Sequence, residues 1–136
     1  SVNEFNCDRI TLMEETQRMA DFLFAMADLR REDIDVAELY DHFGPLVLMS
    51  LEDLGFCKRG EGGPFVEGGR IELGGELPIN THGGLVAEAY VHGFNHIVEG
   101  VRQVRGTSTA QVEDAQHVLV TSADGVPTSG LTLSRG

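Results

Sequence analysis

Apolar side chains recur at helical spacing near the start of the chain. Between residues 12 and 29, the five that fall three or four positions apart are Met19, Phe22, Leu23, Met26 and Leu29. This spacing puts them on one face of an amphipathic helix, and Thr11 and Glu14 precede it with the spacing of a capping box. The pattern predicts a helix from about residue 12 to residue 29, after an initial segment or linker over residues 1–10.

The pattern changes in the next part of the chain, where a strand and a second helix are predicted. Residues 34–40 are mostly apolar and form a run of the right length for a buried strand. Pro45 then opens an apolar run that ends at Gly55. Because proline favours helix starts and glycine favours helix ends, a short helix is expected over about 44–54.

The most informative pattern leads from an extended segment into a turn and a helix. Residues 77–79 indicate a short extended segment, followed by a turn with Asn80 and the pair Gly83 and Gly84. Paired glycines let the backbone come close to a ligand, because they have no Cβ. From residue 85 to about 105, polar residues recur every three or four positions, which predicts one amphipathic helix of about five turns.

Two further strands are predicted at the C-terminal end. Residues 116–121 and 130–134 are rich in β-branched and apolar side chains, and turn-forming residues lie between them. These strands are expected to pair antiparallel. The succession of helix, strand, helix, loop, helix and two strands predicts a single α/β domain over residues 11–136, with helices packed on a mixed sheet.

Composition and charge limit the kinds of molecule that this protein is expected to bind. The chain has 136 residues, 22 acidic and 10 basic, with a net charge of -12, so it would repel nucleic acids and anionic membranes. No apolar run approaches the roughly 20 residues of a membrane span. The paired glycines of residues 55–84 match no phosphate-binding signature, which argues against nucleotide binding.

The two cysteines, Cys7 and Cys57, have no paired spacing, which is typical of a reducing cytoplasm.

The side chains of the predicted 85–105 helix allow more than one interpretation. Tyr90 lies about 200° around the helix from Glu88, so its hydroxyl needs a partner in the core or in a cleft. Glu88, His92 and His96 would share one helical face and could offer metal ligands. Two helical turns separate Glu88 from His96, which favours exposed or interface histidines over a metal site.

Two short motifs flank this predicted helix. They are Ile-Asn-Thr-His-Gly-Gly at 79–84 and Val-Arg-Gln-Val-Arg-Gly at 101–106. Together they resemble the C-terminal half of the thiolase superfamily, most closely its lipid-transfer, sterol-carrier-type branch. In that branch a His-Asp-Cys-Phe motif stands where this chain has residues 40–43, and a Gly-His-Pro motif where it has Ala-Tyr-Val. Tyr40 and Tyr90 therefore replace two histidines of the family.

The sequence also departs from this family at its cysteines. His42 replaces the cysteine of the first motif, and the C-terminal turn at 123–127, where the family has a reactive cysteine, contains none. The cysteine that thiolases acylate belongs to an N-terminal half that is absent from this chain. The chain as it stands is therefore not expected to be a working thiolase.

The two tyrosines make the chain similar to thiolase-like aldolases, which cleave a β-hydroxyacyl-CoA such as a steroid side-chain thioester. A retro-aldol reaction needs a base for the β-hydroxyl proton, a donor to the thioester enolate and an acid to protonate that enolate. The resemblance implies Tyr90 as the base and Tyr40 as the acid, with the reverse order left open. Either role requires that the surroundings match the tyrosine pKa of about 10 to the task.

The resemblance also implies binding residues and partners. Asn80 and the amides near Gly83 and Gly84 would bind the thioester oxygen, and His42 and His92 would line the substrate or coenzyme A pocket. A coenzyme A thioester is the expected substrate, with no covalently bound cofactor and no metal. The expected partners are an N-terminal thiolase half, a second copy in a homodimer, and an OB-fold, zinc-ribbon subunit that binds acyl-CoA.

Two other functions stay open at this point. A thiolase-like acyltransferase is expected if the N-terminal half carries a nucleophilic cysteine. A non-catalytic scaffold or lipid-binding subunit is expected if Tyr40 and Tyr90 can become phenylalanine without effect. Cys57 lies beside two basic residues, which can lower a thiol pKa, but a structural role is the simpler interpretation.

Overall fold

A three-stranded sheet and five α-helices are present in the part of the chain that the structure describes. This part comprises residues 14–122 and 128–136 of a computed structural model. The helices are α1 (Glu14–Ala27), α2 (Gly44–Asp53), α3 (Gly62–Val66), α4 (Gly84–Ala87) and α5 (Phe94–Arg105). The strands are β1 (Val36–Glu38), β2 (His117–Thr121) and β3 (Gly130–Ser134).

The sheet has the strand order β1-β2-β3 and is mixed, as predicted. β1 runs parallel to β2, with Val36 opposite Val118, and β2 runs antiparallel to β3, with Leu119 opposite Thr132. All three residues of β1 are buried, as expected for a strand that is covered on both faces. The prediction of antiparallel closing strands is confirmed.

Alternate side chains of the sheet pack against two layers of helices. Successive residues of a strand point to opposite faces. Leu119 accordingly packs in the cluster that contains residues of α1 and α2, whereas Val118 and Val120 pack against α5. Gly100 in α5 permits this close approach, because a Cβ there would lie 3.0 Å from the Val120 side chain. The predicted α/β class is confirmed.

The predicted single helix over residues 85–105 is wrong. The chain forms the short helix α4, leaves helical geometry over residues 88–93, and begins α5 only at Phe94. His92 and Gly93 have φ values of 54° and 82°. A left-handed residue cannot continue a right-handed helix, and glycine adopts this conformation without steric cost. Because polar residues recur at helix-like spacing across the break as well, periodicity alone does not reveal it.

Other predicted boundaries differ by a few residues. α1 ends at Ala27, and its predicted cap residue Thr11 lies outside the described residues. β1 is shorter than the strand predicted over 34–40, whereas α2 has Pro45 in its first turn, as expected. Residues 55–84, which carry the paired glycines, contain α3, a helix that the sequence pattern does not predict.

Within the described ranges, none of the helices combines the length and apolar character that a bilayer crossing needs.

Candidate active site

The hydroxyl groups of Tyr40 and Tyr90 meet, although the two residues are 50 positions apart. Tyr40 follows β1 and is 7% exposed, whereas Tyr90 lies in the irregular segment before α5 and is 57% exposed. The two hydroxyl oxygens are 2.8 Å apart and form a hydrogen bond. The structure therefore brings together the two residues that the sequence predicts as acid and base.

A histidine ring lies beside each tyrosine. The centroid of the His42 ring is 5.0 Å from that of Tyr40, and the centroid of the His92 ring is 4.8 Å from that of Tyr90. We call these four residues the tyrosine–histidine cluster. The two residues predicted to line the pocket thus lie against the rings of the paired tyrosines, and their binding role stays a prediction.

The tyrosine–histidine cluster is open to solvent on one side. The large apolar side chains of Phe43 and Phe94 nearby are 66% and 68% exposed. Tyr90, Phe43 and Phe94 therefore form a solvent-exposed, largely aromatic surface beside the buried Tyr40. A reaction that forms an enolate depends on electrostatic interactions that are strong only where water is excluded.

Hydrogen bonds from three other parts of the fold hold the backbone around Tyr40. The Tyr40 amide donates to Thr121 Oγ1 of β2 at 2.9 Å. The Leu39 amide donates to Asn80 Oδ1 in the turn before α4 at 2.7 Å. The Leu39 carbonyl oxygen lies 2.8 Å from His96 Nε2 in α5. The position of Tyr40 is therefore set jointly by β2, by the turn and by α5.

The turn predicted to bind the thioester makes several contacts within the protein. Asn80 Oδ1 accepts from the Leu39 amide, so its Nδ2 group is the one that could donate to a thioester oxygen. The Gly83 amide donates to the Asn80 carbonyl oxygen at 2.8 Å. A Cβ at Gly84 would overlap the Asp41 carboxylate. The absence of a Cβ at Gly84 thus allows close packing against Asp41, and the role of the paired glycines in binding the thioester stays a prediction.

A buried polar network that the sequence pattern does not predict lies behind this turn. Thr81 Oγ1 is 2.8 Å from Glu38 Oε1 and 2.8 Å from Glu99 Oε1, and both glutamates are buried. A threonine hydroxyl has one hydrogen to donate. The Thr81 hydroxyl can therefore donate to only one of the two carboxyl groups at a time. Thr81 therefore brings the side chains of these two buried glutamates together.

Two adjacent histidines at the site have pKa values shifted in opposite directions. Burial disfavours protonation of His82, but the Glu38 carboxylate, 2.9 Å from His82 Nδ1, outweighs burial and raises the His82 pKa above 6.5. Both the close approach of Glu38 to the ring nitrogen and the charges of Glu38, Glu88 and Glu99 favour the protonated ring. Burial lowers the pKa of His96, whose ring centroid is 4.8 Å from that of His82. Positive charge is therefore favoured at His82 and disfavoured at His96.

The shared helical face suggested for Glu88, His92 and His96 is wrong. Residues 88–93 are not helical, so the three side chains do not stack at successive turns. His92 lies beside Tyr90, whereas His96 is fully buried in α5. Within the part of the chain that the structure describes, no group of three or more histidine, cysteine, aspartate or glutamate side chains is arranged to hold a metal ion.

Some residues of the site were missed by sequence reasoning. Glu38 had a usable signal, because an acidic side chain within an apolar strand needs a buried polar partner. Thr121 and His96 had none, since their partners are 81 and 57 residues away. The C-terminal turn at 123–127, where the family has a reactive cysteine, lies outside the described residues.

Comparison with known proteins gives close similarities over most of the chain. Residues 3–133 match the family described as thiolase C-terminal domain-like. Identity is 58% over 111 residues with the 17-hydroxy-3-oxo-4-pregnene-20-carboxyl-CoA lyase of Mycobacterium tuberculosis, covering 82% of this chain and 29% of that protein. Identity is 55% over 124 residues with the steroid side-chain-cleaving aldolase of Thermomonospora curvata, covering 91% of this chain and 32% of that protein.

A solved structure is similar over nearly the whole chain. It is described as an Ltp2-ChsH2(DUF35) aldolase and superposes with a TM-score of 0.93 at 52% identity, over 96% of this chain and 34% of that one. The sterol carrier protein 2 of Bos taurus is 35% identical over 99 residues, covering 64% of this chain and 18% of that protein. The chain therefore spans about a third of the length of its lyase and aldolase relatives.

Proposed function

Because the chain belongs to the thiolase C-terminal domain-like family, we propose that it is the C-terminal part of a thiolase-like aldolase that cleaves a β-hydroxyacyl-CoA by a retro-aldol reaction. The hydrogen bond between the Tyr40 and Tyr90 hydroxyl groups carries this proposal. Two relatives above 50% identity are named a carboxyl-CoA lyase and a steroid side-chain-cleaving aldolase. Their names support a steroid-type thioester as the substrate.

Tyr90 is the proposed base. It is the more exposed member of the pair, so a substrate on the open side reaches it first. As a phenolate that accepts a hydrogen bond from Tyr40, it takes the proton of the β-hydroxyl group. The carbon–carbon bond then breaks, its electron pair passes to the thioester as an enolate, and the other product is a ketone or aldehyde.

Tyr40 is the proposed acid. Its hydroxyl donates a proton to the enolate carbon, which yields the shortened acyl-CoA and leaves Tyr40 as the phenolate. The proton that Tyr90 received then passes to Tyr40 along the 2.8 Å hydrogen bond and restores the starting state. The pair holds the same number of protons before and after the reaction, so no outside acid or base is needed.

Neighbouring groups support these charge changes. Asn80 Nδ2 is the proposed donor to the thioester oxygen, where the negative charge of the enolate develops. Gly83 and Gly84 shape the turn that presents Asn80. His42 and His92 lie against the two phenol rings and are the proposed lining of the substrate or coenzyme A side.

Additional polypeptide is proposed to cover the open side of the site. This is supported by the open side of the tyrosine–histidine cluster and by the length of the relatives. The covering part would be an N-terminal thiolase half, with a second copy in a homodimer. The similar solved structure names two components, Ltp2 and ChsH2(DUF35), which supports an additional OB-fold, zinc-ribbon subunit for acyl-CoA. The unpaired spacing of the two cysteines supports a cytoplasmic location.

The test compares the wild type with Tyr90→Phe and Tyr40→Phe in an assembly that contains the N-terminal half and the acyl-CoA-binding subunit. With a steroid-type β-hydroxyacyl-CoA, the wild type should release a carbonyl product and a shortened acyl-CoA in equal amounts. Each variant removes one hydroxyl of the pair and should lower kcat by about 10²- to 10⁴-fold, the usual contribution of a general acid or base. Thermal unfolding of each assembly controls for loss of folding.

Three results would contradict this proposal. Unchanged cleavage in both phenylalanine variants would remove the tyrosines from the mechanism. A trapped acyl-enzyme would favour the thiolase-like acyltransferase instead. A folded, complete assembly that cleaves neither sterol nor straight-chain thioesters would favour the scaffold or lipid-binding role.

A further inference from the structure

His96 is a buried titratable residue that the proposed reaction does not use. It lies in the first turn of α5 and is fully buried. Its Nε2 atom is 2.8 Å from the Leu39 carbonyl oxygen and 3.3 Å from Asp41 Oδ1. Leu39 and Asp41 are the two residues that flank Tyr40. A single ring nitrogen therefore contacts the chain on both sides of the proposed acid.

The Leu39 contact requires a hydrogen on His96 Nε2, whichever role Nδ1 takes toward Asn95 Oδ1, 3.1 Å away. A carbonyl oxygen can only accept, so Nε2 must be the protonated nitrogen. Burial and the nearby His82 ring lower the His96 pKa, which favours the neutral imidazole with its hydrogen on Nε2. His96 therefore acts as a fixed hydrogen-bond donor to Leu39, with the Asp41 carboxylate beside it.

His96 also connects the two segments that carry the tyrosines. Tyr40 follows β1, whereas Tyr90 lies in the segment that leads directly into α5. Between them, Gly93 brings its backbone against the Tyr40 ring, since a Cβ there would lie 3.3 Å from Tyr40 Cδ2. A donor anchored in the first turn of α5 thus ties the Tyr40 backbone to the start of the helix that Tyr90 precedes.

We propose that His96 is a positioning residue, whose Nε2 hydrogen fixes the backbone around Tyr40 and thereby keeps the Tyr40 and Tyr90 hydroxyl groups within hydrogen-bond distance. Its effect on turnover rests on the proposed aldol reaction, whereas its effect on the tyrosine pair does not. Because small displacements of reacting groups can cost about 10²-fold in rate, loss of this donor should appear in kcat more than in KM.

The kinetic test uses three variants in the complete assembly. His96→Leu removes the donor and should lower kcat by about 10²-fold, with KM within about threefold of the wild type. His96→Gln keeps an N–H donor and should recover most of that loss. His117→Leu, at the far end of β2, changes a histidine that does not contact the cluster and should leave both constants unchanged. If His96→Leu does not fold, His96→Asn, whose amide is shorter, takes its place.

A spectroscopic test reads the tyrosine pair without any substrate. The chain has only two tyrosines, so 3-fluorotyrosine placed in this chain alone, within an otherwise unlabelled assembly, gives two ¹⁹F resonances, which Tyr90→Phe assigns. The leucine variant should shift the Tyr40 resonance, and the glutamine variant should restore it.

The two tests separate the positioning role from the reaction. Wild-type kcat and unshifted resonances in His96→Leu would overturn the positioning role, as would a loss of kcat that glutamine does not rescue. A shifted Tyr40 resonance, in an assembly whose wild type cleaves no thioester, would uphold the positioning role and overturn the proposed reaction.

Discussion

Two neighbouring histidines, His82 and His96, differ in charge preference because of what surrounds their ring nitrogens. His82 Nδ1 lies 2.9 Å from the carboxylate of Glu38, which is itself fully buried. His96 is enclosed completely and has a carbonyl oxygen as its nearest acceptor. A close carboxylate favours the protonated form, whereas burial favours the neutral form. The pH dependence of stability should therefore contain two terms of opposite sign.

For His82, we expect the free energy of unfolding of the assembly to decrease as the pH rises above about 6.5. Its pKa is raised in the folded state, so the folded protein binds this proton more tightly than the unfolded protein does. The stabilisation is complete below the unfolded pKa and is lost as the pH rises through the folded pKa. Urea unfolding across this range should show that His82→Gln lacks the decrease.

For His96, the expected pH dependence has the opposite sign. Its pKa is lowered in the folded state, so stability is lost as the pH falls below about 6.5 and the unfolded chain takes up the proton first. His96→Gln should remove this acid-side loss and leave the alkaline side unchanged. The two glutamine variants control for each other, and identical pH profiles for both would contradict the assignment.

Among the secondary-structure elements, the break between α4 and α5 determines where Tyr90 lies. A continuous helix over 85–105 would fix Tyr90 on a helical face, whereas the left-handed backbone at His92 and Gly93 sends the preceding segment toward Tyr40. Gly93 has two tasks, because it supplies the positive φ and leaves room for the Tyr40 ring. The helix boundary is therefore part of the proposed active site.

Gly93→Ala should be compared with Gly106→Ala, at the other end of α5. Both glycines have a left-handed φ, 82° and 68°, so alanine should cost about 1–2 kcal/mol of stability at either position. Only Gly93 has a close neighbour, since nothing lies within 4 Å of a Cβ at Gly106. We therefore expect kcat to decrease in Gly93→Ala well beyond its decrease in Gly106→Ala. Equal kinetics in the two variants would show that the break does not position the tyrosines.

On the surface of the whole molecule, several large apolar side chains are exposed near the site. Phe94 and Val98 on α5 are 68% and 47% exposed, and Val86 in α4 is 86% exposed. Phe94 is the first residue of α5, two positions after His92 of the tyrosine–histidine cluster, and Val98 lies one helical turn further on. An apolar surface of this kind beside an acidic, otherwise charged exterior is typical of a contact with further polypeptide.

Phe94→Asp should weaken association with the proposed N-terminal half, supplied as a separate polypeptide. Burying a carboxylate in place of an aromatic ring should raise the Kd by about tenfold or more, the effect of losing a hot-spot residue. Leu73→Asp is the matched control, because Leu73 is 59% exposed but lies in the glycine-rich loop near α3. Titration by calorimetry measures both variants. Equal weakening by the two substitutions would indicate a charge effect rather than a contact at α5.

Local signals made several elements predictable. α2 has Pro45 in its first turn and a left-handed Gly55 just past its end, β3 has the predicted bounds, and the extended segment ending at Ile79 forms a parallel bridge with Ala37. The long predicted helix failed because a periodic pattern does not report the backbone conformation at His92. The candidate residues came from motif positions, which identify side chains without showing what they contact.

The α/β class, the family and the tyrosines at two positions where the family has histidine could be derived from the sequence, because they depend on residue identity and local spacing. Only the tertiary structure decided that the hydroxyl groups of Tyr40 and Tyr90 meet, and that Asn80 Oδ1 bonds to Leu39 instead of facing outward. It also decided that Glu38 and Glu99 share Thr81. These contacts join distant segments of the chain, and they form only when the helices pack on the sheet and exclude water from the groups between them.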